Sequence, residues 1–454
     1  MFFAIFTVFF GFLLITGAPI YVSDTFQYEN QMVMREPVYA LIIQFLRFLS
    51  PQNHFWILII IQNLLAIFAN TAFMVFMKKQ FKLNVIMSGL FIVILLTPHI
   101  MTPVFASTNL VLTNSLMTEG LLFSLYPLFI MLLLKAMWSG KPLGKESLIT
   151  ICFCLFMSLV RGQMMVLFVV WFLVMAAVEI FNKTDENNIK GKLKTLVVIA
   201  VLFVVVFVAR IGIVRVYNYC ENGLFVDTAS GKAMSFANVL YVADRQDGEA
   251  IEDSFLRELF YEMYDAADKD KMNYKYSQKG LLNRAEYHEK CHDELNFTYF
   301  GEPAKRYVGE TKGIYVEQYQ ELMIEIDKVA DELSKQLMPE VFGKYVQNYF
   351  AIIILGFVRT VAYPHPLLAW YSLLIYIVAI IFTILLWKKN PYSKAAPLMA
   401  VVLLIIVGNV CATALMIQCI SRYMIYNLPL FYMAGLLELR EVYELVSQIK
   451  KEKK

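Results

Sequence analysis

The sequence predicts an all-α polytopic membrane protein with about ten transmembrane helices and an extracytoplasmic helical insert. Three observations carry this. Of 454 residues, 59% are hydrophobic and only 17% charged, and the apolar residues come in runs too long and too frequent for a soluble core. Lysines and arginines collect in alternate connections between those runs. One block, residues 217–346, has the opposite character: of the chain's 37 acidic and 40 basic residues, 25 and 15 fall inside it.

The first run, 2–20, is read as a span and not a cleaved signal, because it has no basic leader and many equally apolar runs follow. Further runs lie at 54–77, 83–103, 116–137, 147–161, 163–181, 195–216, 366–387, 395–418 and 423–438. The short run 147–161 requires a tight hairpin at Arg161-Gly162-Gln163. Lys78, Lys79 and Lys82, then Lys135, Lys141 and Lys145, then Lys183, Lys190, Lys192 and Lys194, then Lys388, Lys389 and Lys394, and the tail "KKEKK" all fall on one side. By the positive-inside rule that side is cytoplasmic, which places both termini there in a plasma membrane.

The run 348–362, "NYFAIIILGFVRTVA", would invert every later segment if it spanned, so it is read as an interfacial or re-entrant helix. The chain then divides into 1–216, the N-terminal transmembrane helices with a catalytic first outer loop; 217–346, the acidic insert; and 347–454, the interfacial helix, last spans and basic tail. Stretches such as "EDSFLRELFYEMYDAADKDK" make the insert helical. The six cysteines are scattered and read as small hydrophobes, not as a disulfide framework.

This topology gathers polar residues at the outer helix ends: Asp24, Glu29, Arg35 and Glu36; His99, Asn109, Asn114 and Glu119; Arg161 and Gln163; Arg359 and His365; Gln418, Arg422 and Tyr423. Each alone fits an interfacial side chain that snorkels or pairs. Jointly they suggest chemistry. Asp24, flanked by Tyr21, Phe26 and Tyr28 just beyond the first span, is partly desolvated, as suits a general base. A guanidinium fork matches a phosphate at headgroup depth and neutralises charge on a departing phosphate. A base beside a phosphate clamp suits the inverting transfer of a sugar from a lipid phosphate to an acceptor hydroxyl.

Four segments carry a family resemblance: "YVSDTFQYE" with "REPVYALIIQFL", "TEGLLFSLYPLFIMLLLKA", "LVRGQ" and "SRYMIYNLPLFYMAGLL". Across most of its membrane part the chain resembles the GT-C superfamily of integral membrane glycosyltransferases, similar to the protein O-mannosyltransferase and aminoarabinose-transferase group. The resemblance implies a polyprenyl-phosphate-linked sugar as donor and membrane lipid as surroundings. The acceptor would be an extracytoplasmic glycan, lipid or protein. Asp24 would be the catalytic base, with Arg422 and Arg161 near the donor phosphate. Position at the outer helix ends adds Arg35 to the phosphate-binding set and Glu29, Glu119, His99, Tyr423 and His365 to the pocket. Many relatives carry a second acid beside the first-loop Asp, where this chain has Thr25, so a divalent metal is left open and no metal ligand is assigned.

"HEKCH", 288–292, fits the H-E-x-x-H pattern of zinc sites. Its charged neighbourhood and lack of a third ligand point instead to a solvated helix face. No Walker loop or G-x-G-x-x-G fingerprint appears, which argues against an ATP-driven exporter and against direct use of a nucleotide sugar. No nucleic-acid partner is expected. The rival class is a transporter or flippase of an envelope lipid, which would also place ionisable groups in membrane helices. Its usual mark, an internal repeat, is missing from the sequence.

Overall fold

The computed structural model describes residues 1–105, 111–181, 189–362 and 365–452, so Asn109 and Lys183 lie outside the described residues. These residues form helices and turns, with one isolated bridge between Ile20 and Ser115 and no strand among them. The chain is an all-α polytopic membrane protein. Its first half comprises α1 (Phe2–Thr16), α2 (Ser23–Glu29), α3 (Pro37–Leu49), α4 (His54–Phe81), α5 (Val85–Phe105), α6 (Thr118–Ser139), α7 (Lys145–Val160), α8 (Val166–Ile180) and α9 (Ile189–Asn222). Then follow α10 (Gly231–Val242), α11 (Ser254–Lys269), α12 (Leu281–Glu294), α13 (Glu302–Lys312), α14 (Tyr319–Val361), α15 (Pro366–Lys389), α16 (Ala395–Met416), α17 (Ser421–Met424) and α18 (Leu428–Glu452).

Among the described residues, eight helices are long and apolar enough to cross a bilayer. Seven coincide with expected runs, and the eighth contains 348–362. Three of the ten expected runs are not in that set. Helix α1 stops at Thr16, where Gly17 turns extended and Pro19 follows. Helix α7 has 16 residues. The run 423–438 is divided between α17, a turn and α18, whose later half is charged.

The lysine-rich connections meet at one end of the bundle. Lys394 Nζ donates to Gln80 Oε1 (2.9 Å) and lies over the Trp138 ring, and Arg440 Nη1 donates to the Phe81 carbonyl (2.9 Å). Lys78 sits over the ring of Phe2. Helix α1 therefore starts, and α18 finishes, at this lysine end. Helix α15 runs towards it too, since only five residues separate Lys389 from Ala395.

The run 348–362 is the last part of α14, so the boundary drawn at 346/347 falls inside one uninterrupted helix. Tyr345 and Tyr349 donate to the Leu415 and Cys411 carbonyls of α16, and Tyr432 of α18 donates to the Val361 carbonyl (2.6 Å). Val361 thus lies level with Tyr432, about one turn into α18 at the end opposite the lysines. Helix α15 starts a few residues later and runs to the lysine end, so this run does not invert the chain.

In the insert, Leu322, Ile326, Val329, Leu333, Leu337 and Val341 repeat every three to four residues along α14 and are buried. They pack with Phe236, Phe260 and Phe300 in one core, each aromatic contributing about 1.5–3 kcal/mol on burial. Helix α3 is amphipathic, with Tyr39, Ala40, Ile43 and Leu46 turned inward and Leu41, Phe45 and Phe48 exposed.

Candidate functional site

The opening acidic stretch is positioned by backbone pairing with the loop ahead of α6. Ile20 N donates to the Asn114 carbonyl (2.8 Å) and Leu116 N to the Ile20 carbonyl (3.0 Å). Thr25, wholly buried, donates to the Leu116 carbonyl (2.8 Å) and accepts from Val22 N at the start of α2. A carboxylate at position 25 could not donate that bond, which gives a physical reason for the threonine. On the other side of the loop, Gln62 and Asn63 of α4 donate to the Thr113 carbonyl, and Gln62 also to that of Ser115. Asp24 and Glu119 are thereby held in fixed relation.

Gly120 makes this clamp close. A Cβ there would fall 2.5 Å from Gln62 Nε2 and 2.7 Å from its Oε1. Gln62 is buried and bonded to two carbonyls and to Tyr39, so it cannot yield cheaply. Gly120→Ala is expected to destabilise the protein by about 1–3 kcal/mol, seen as a lower unfolding midpoint in detergent.

From this frame an alternating chain of charges is built. Arg35 Nη2 donates to Asp24 Oδ1 (2.8 Å), and Asp24 Oδ2 lies 3.9 Å from Arg422 Nη2. Arg422 Nε lies 3.2 Å from Glu119 Oε1, and Glu119 Oε2 is 2.7 Å from Arg161 Nη1. Tyr423 stands between the last two arginines, each within about 5 Å of its ring centre. Glu119 is fully buried, whereas Asp24, Arg35 and Arg422 remain about one-fifth exposed. The chain is therefore most deeply buried at Glu119 and partly open at Arg35, Asp24 and Arg422.

Three guanidinium groups face two carboxylates, leaving one positive charge unbalanced within the chain. Arg422 Nε and Glu119 Oε1 are close but not aligned, and both lack a hydrogen-bond partner. This pair is therefore held by charge at short range without an aligned hydrogen bond. Beside the chain, Glu36 lies 3.5 Å from Arg210, which also pairs with Asp227. Burial pushes the Glu36 carboxyl up from its ordinary range, against the pull of Arg210.

Behind the arginines lies a narrow aromatic slot of about 20 Å³ lined by Phe123, Tyr126, Tyr426, His99, Pro127 and Pro429, among others. Phe123 stacks on Tyr426 at 4.3 Å, one helical turn past Glu119 and Arg422 respectively. His99 sits edge-on to Phe10 and Phe123 in this slot.

The structure gathers Asp24, Arg35, Glu119, Arg161, Arg422 and Tyr423, with His99 behind them. It does not bring in the other two. Glu29 pairs with Arg47 and accepts from Tyr21, and His365 caps the first turn of α15 by accepting from Leu367 N. Arg359 pairs with Glu289 of the insert and donates to the Cys419 carbonyl. Sequence reasoning missed Gln62, Thr118, Arg210 and Asp227. Thr118, next to Glu119 and bonded to Arg161 (2.9 Å), lay within a stretch already singled out.

The solvated helix face expected for "HEKCH" is overturned. His288 and His292 are buried on α12, with His288 Nε2 donating to Asn238 Oδ1 (2.8 Å). Among the described residues no three His, Cys, Asp or Glu side chains are grouped to hold a metal. All six cysteines are free thiols.

Burial, reinforced by His292, pushes His288 well below the imidazole range. It is neutral in the folded state and protonates more readily once unfolded. Its stabilisation is therefore complete above about pH 6.5 and lost as pH falls below it, at up to about 1.4 kcal/mol per unit. The unfolding midpoint should drop from pH 7 to pH 5, and His288→Asn should flatten that slope.

Comparison with protein-family models, curated proteins and solved structures returns no match.

Proposed function

We propose that the chain is a membrane glycosyltransferase that moves a sugar from a polyprenyl phosphate to an acceptor hydroxyl with inversion. The observation that carries this reading is that Asp24 is bracketed by Arg35 and Arg422, all three being partly exposed. A carboxylate and a phosphate-sized set of guanidinium groups thus share a single site.

In the reaction the donor phosphate takes guanidinium hydrogen bonds from Arg422 and Arg35, which frees Asp24 oxygens to face the acceptor. The acceptor hydroxyl transfers its proton to Asp24 as its oxygen bonds to the anomeric carbon. The bond from that carbon to the phosphate oxygen breaks on the opposite face, and its electron pair leaves with the polyprenyl phosphate. Arg422, with Arg161 behind it, stabilises that charge.

The reading is tested by incubating purified protein in proteoliposomes with a panel of radiolabelled polyprenyl-phosphate hexoses and pentoses. Release or transfer of label from at least one donor supports it, and failure with every donor refutes it. For sidedness, a cysteine placed at position 250 in a cysteine-free background is expected to label from outside the cell, and one at position 390 is not. External labelling at 390 would invert the topology.

A further inference from the structure

The insert meets the turn ahead of Arg422 through the side chain of Asp293. Asp293, near the end of α12, accepts from Gln418 Nε2 (2.9 Å), and Gln418 lies in the turn that leads to Arg422. The same oxygen, Oδ1, lies 3.2 Å from His292 Nδ1. Oδ2 has no such partner, and the side chain is 68% exposed. One oxygen is anchored from two sides and the other faces outward.

His288 and His292 are buried beneath Asp293, and Glu289 pairs with Arg359 of α14. Gln418 is itself more than nine-tenths buried, and its Oε1 has no partner. The hydrogen bond from His292, with that from Gln418, holds the Asp293 carboxyl below its usual range. It therefore stays an acceptor-only group, able to receive hydroxyl protons but not to give one.

From this placement, and resting on the glycosyltransferase reading above, we infer that Asp293 is the acceptor-positioning residue of the site. Its free oxygen receives a hydroxyl of a polyhydroxylated, glycan-type acceptor and steers the neighbouring hydroxyl towards Asp24. The arginine side takes the anionic donor and the insert supplies the side that takes hydroxyl groups. This gives the insert a role: it selects what is glycosylated and leaves donor cleavage to the bundle.

The test separates transfer from hydrolysis. Wild-type, Asp293→Asn and Gln418→Ala proteins are reconstituted into membrane vesicles from the source cells, which hold the native acceptor. Each is supplied with the radiolabelled polyprenyl-phosphate sugar that wild type turns over. Label in envelope material and free sugar released to water are counted separately. Asp293→Asn is expected to lower transfer roughly 10–100-fold, as loss of a charged hydrogen bond does, while hydrolysis stays within twofold. Gln418→Ala should give a smaller fall in the same ratio. Equal losses of transfer and hydrolysis, or no change in either, would overturn the acceptor role. A wild type that turns over no donor would overturn the underlying reading, and this inference with it.

Discussion

Replacing Asp24 by asparagine lowers sugar transfer by about 10²–10⁴-fold while donor affinity changes little. Asparagine keeps the shape, and its carbonyl can still accept from Arg35 Nη2, so the 2.8 Å contact survives in weaker form. What disappears is the ability to take a proton from the acceptor. The arginine chain that meets the phosphate is otherwise intact, because Arg422 remains beside Glu119. Folding should also hold, since Asp24 is partly exposed and such ion pairs contribute only about 0–1 kcal/mol. Single-turnover transfer and equilibrium donor binding, measured on the same preparation, separate the two effects.

Arg422→Ala should behave differently. Arg422 is the guanidinium that faces both Asp24 and Glu119, with its Nε 3.2 Å from Glu119 Oε1. Its loss removes a phosphate partner in the ground state and a larger stabilisation once charge gathers on the leaving oxygen. The apparent KM rises and kcat falls together, with a combined loss in kcat/KM of about 10²–10⁴-fold, as expected for one or two charge-assisted hydrogen bonds. Arg422→Lys keeps the charge but not the fork, so it should recover only part. An Arg422→Ala enzyme altered in KM alone would show that the residue binds donor without serving the departing phosphate.

The elements that were legible are those in which local pattern and environment agree. The apolar runs of α4, α6 and α16 are bounded by lysines or turn residues, and Asp24, Arg161 and Arg422 announce themselves as charges at the ends of such runs. Other features depend on contacts far apart in sequence. Thr25 reads as a missing acid until its hydroxyl is seen to donate to Leu116, 91 residues away. His288 and His292 sit among charged neighbours along the chain, yet the face they occupy is covered by α10, which contributes Met234 and Asn238. Sequence around them reports the exposed face of α12 and is silent on what covers the other.

The run 348–362 shows the same limit from another direction. Its composition suits a span, and the lysines of the later loops argue that it cannot invert the chain. Both are compatible because the helix continues from the insert and ends level with Tyr432. Glu29 and His365 were drawn into the site by position alone. Arg47 and the start of α15, which claim them, are parts of the surrounding frame.

The central claim is a single displacement at the anomeric carbon with Asp24 as the only base. It is tested most directly by the anomeric configuration of the transferred sugar, read from the one-bond carbon–proton coupling in a product made from donor of defined configuration. The account predicts the opposite anomer to that of the donor. A product that retains the donor's configuration would require a second displacement and a covalent carboxylate intermediate, and would contradict it.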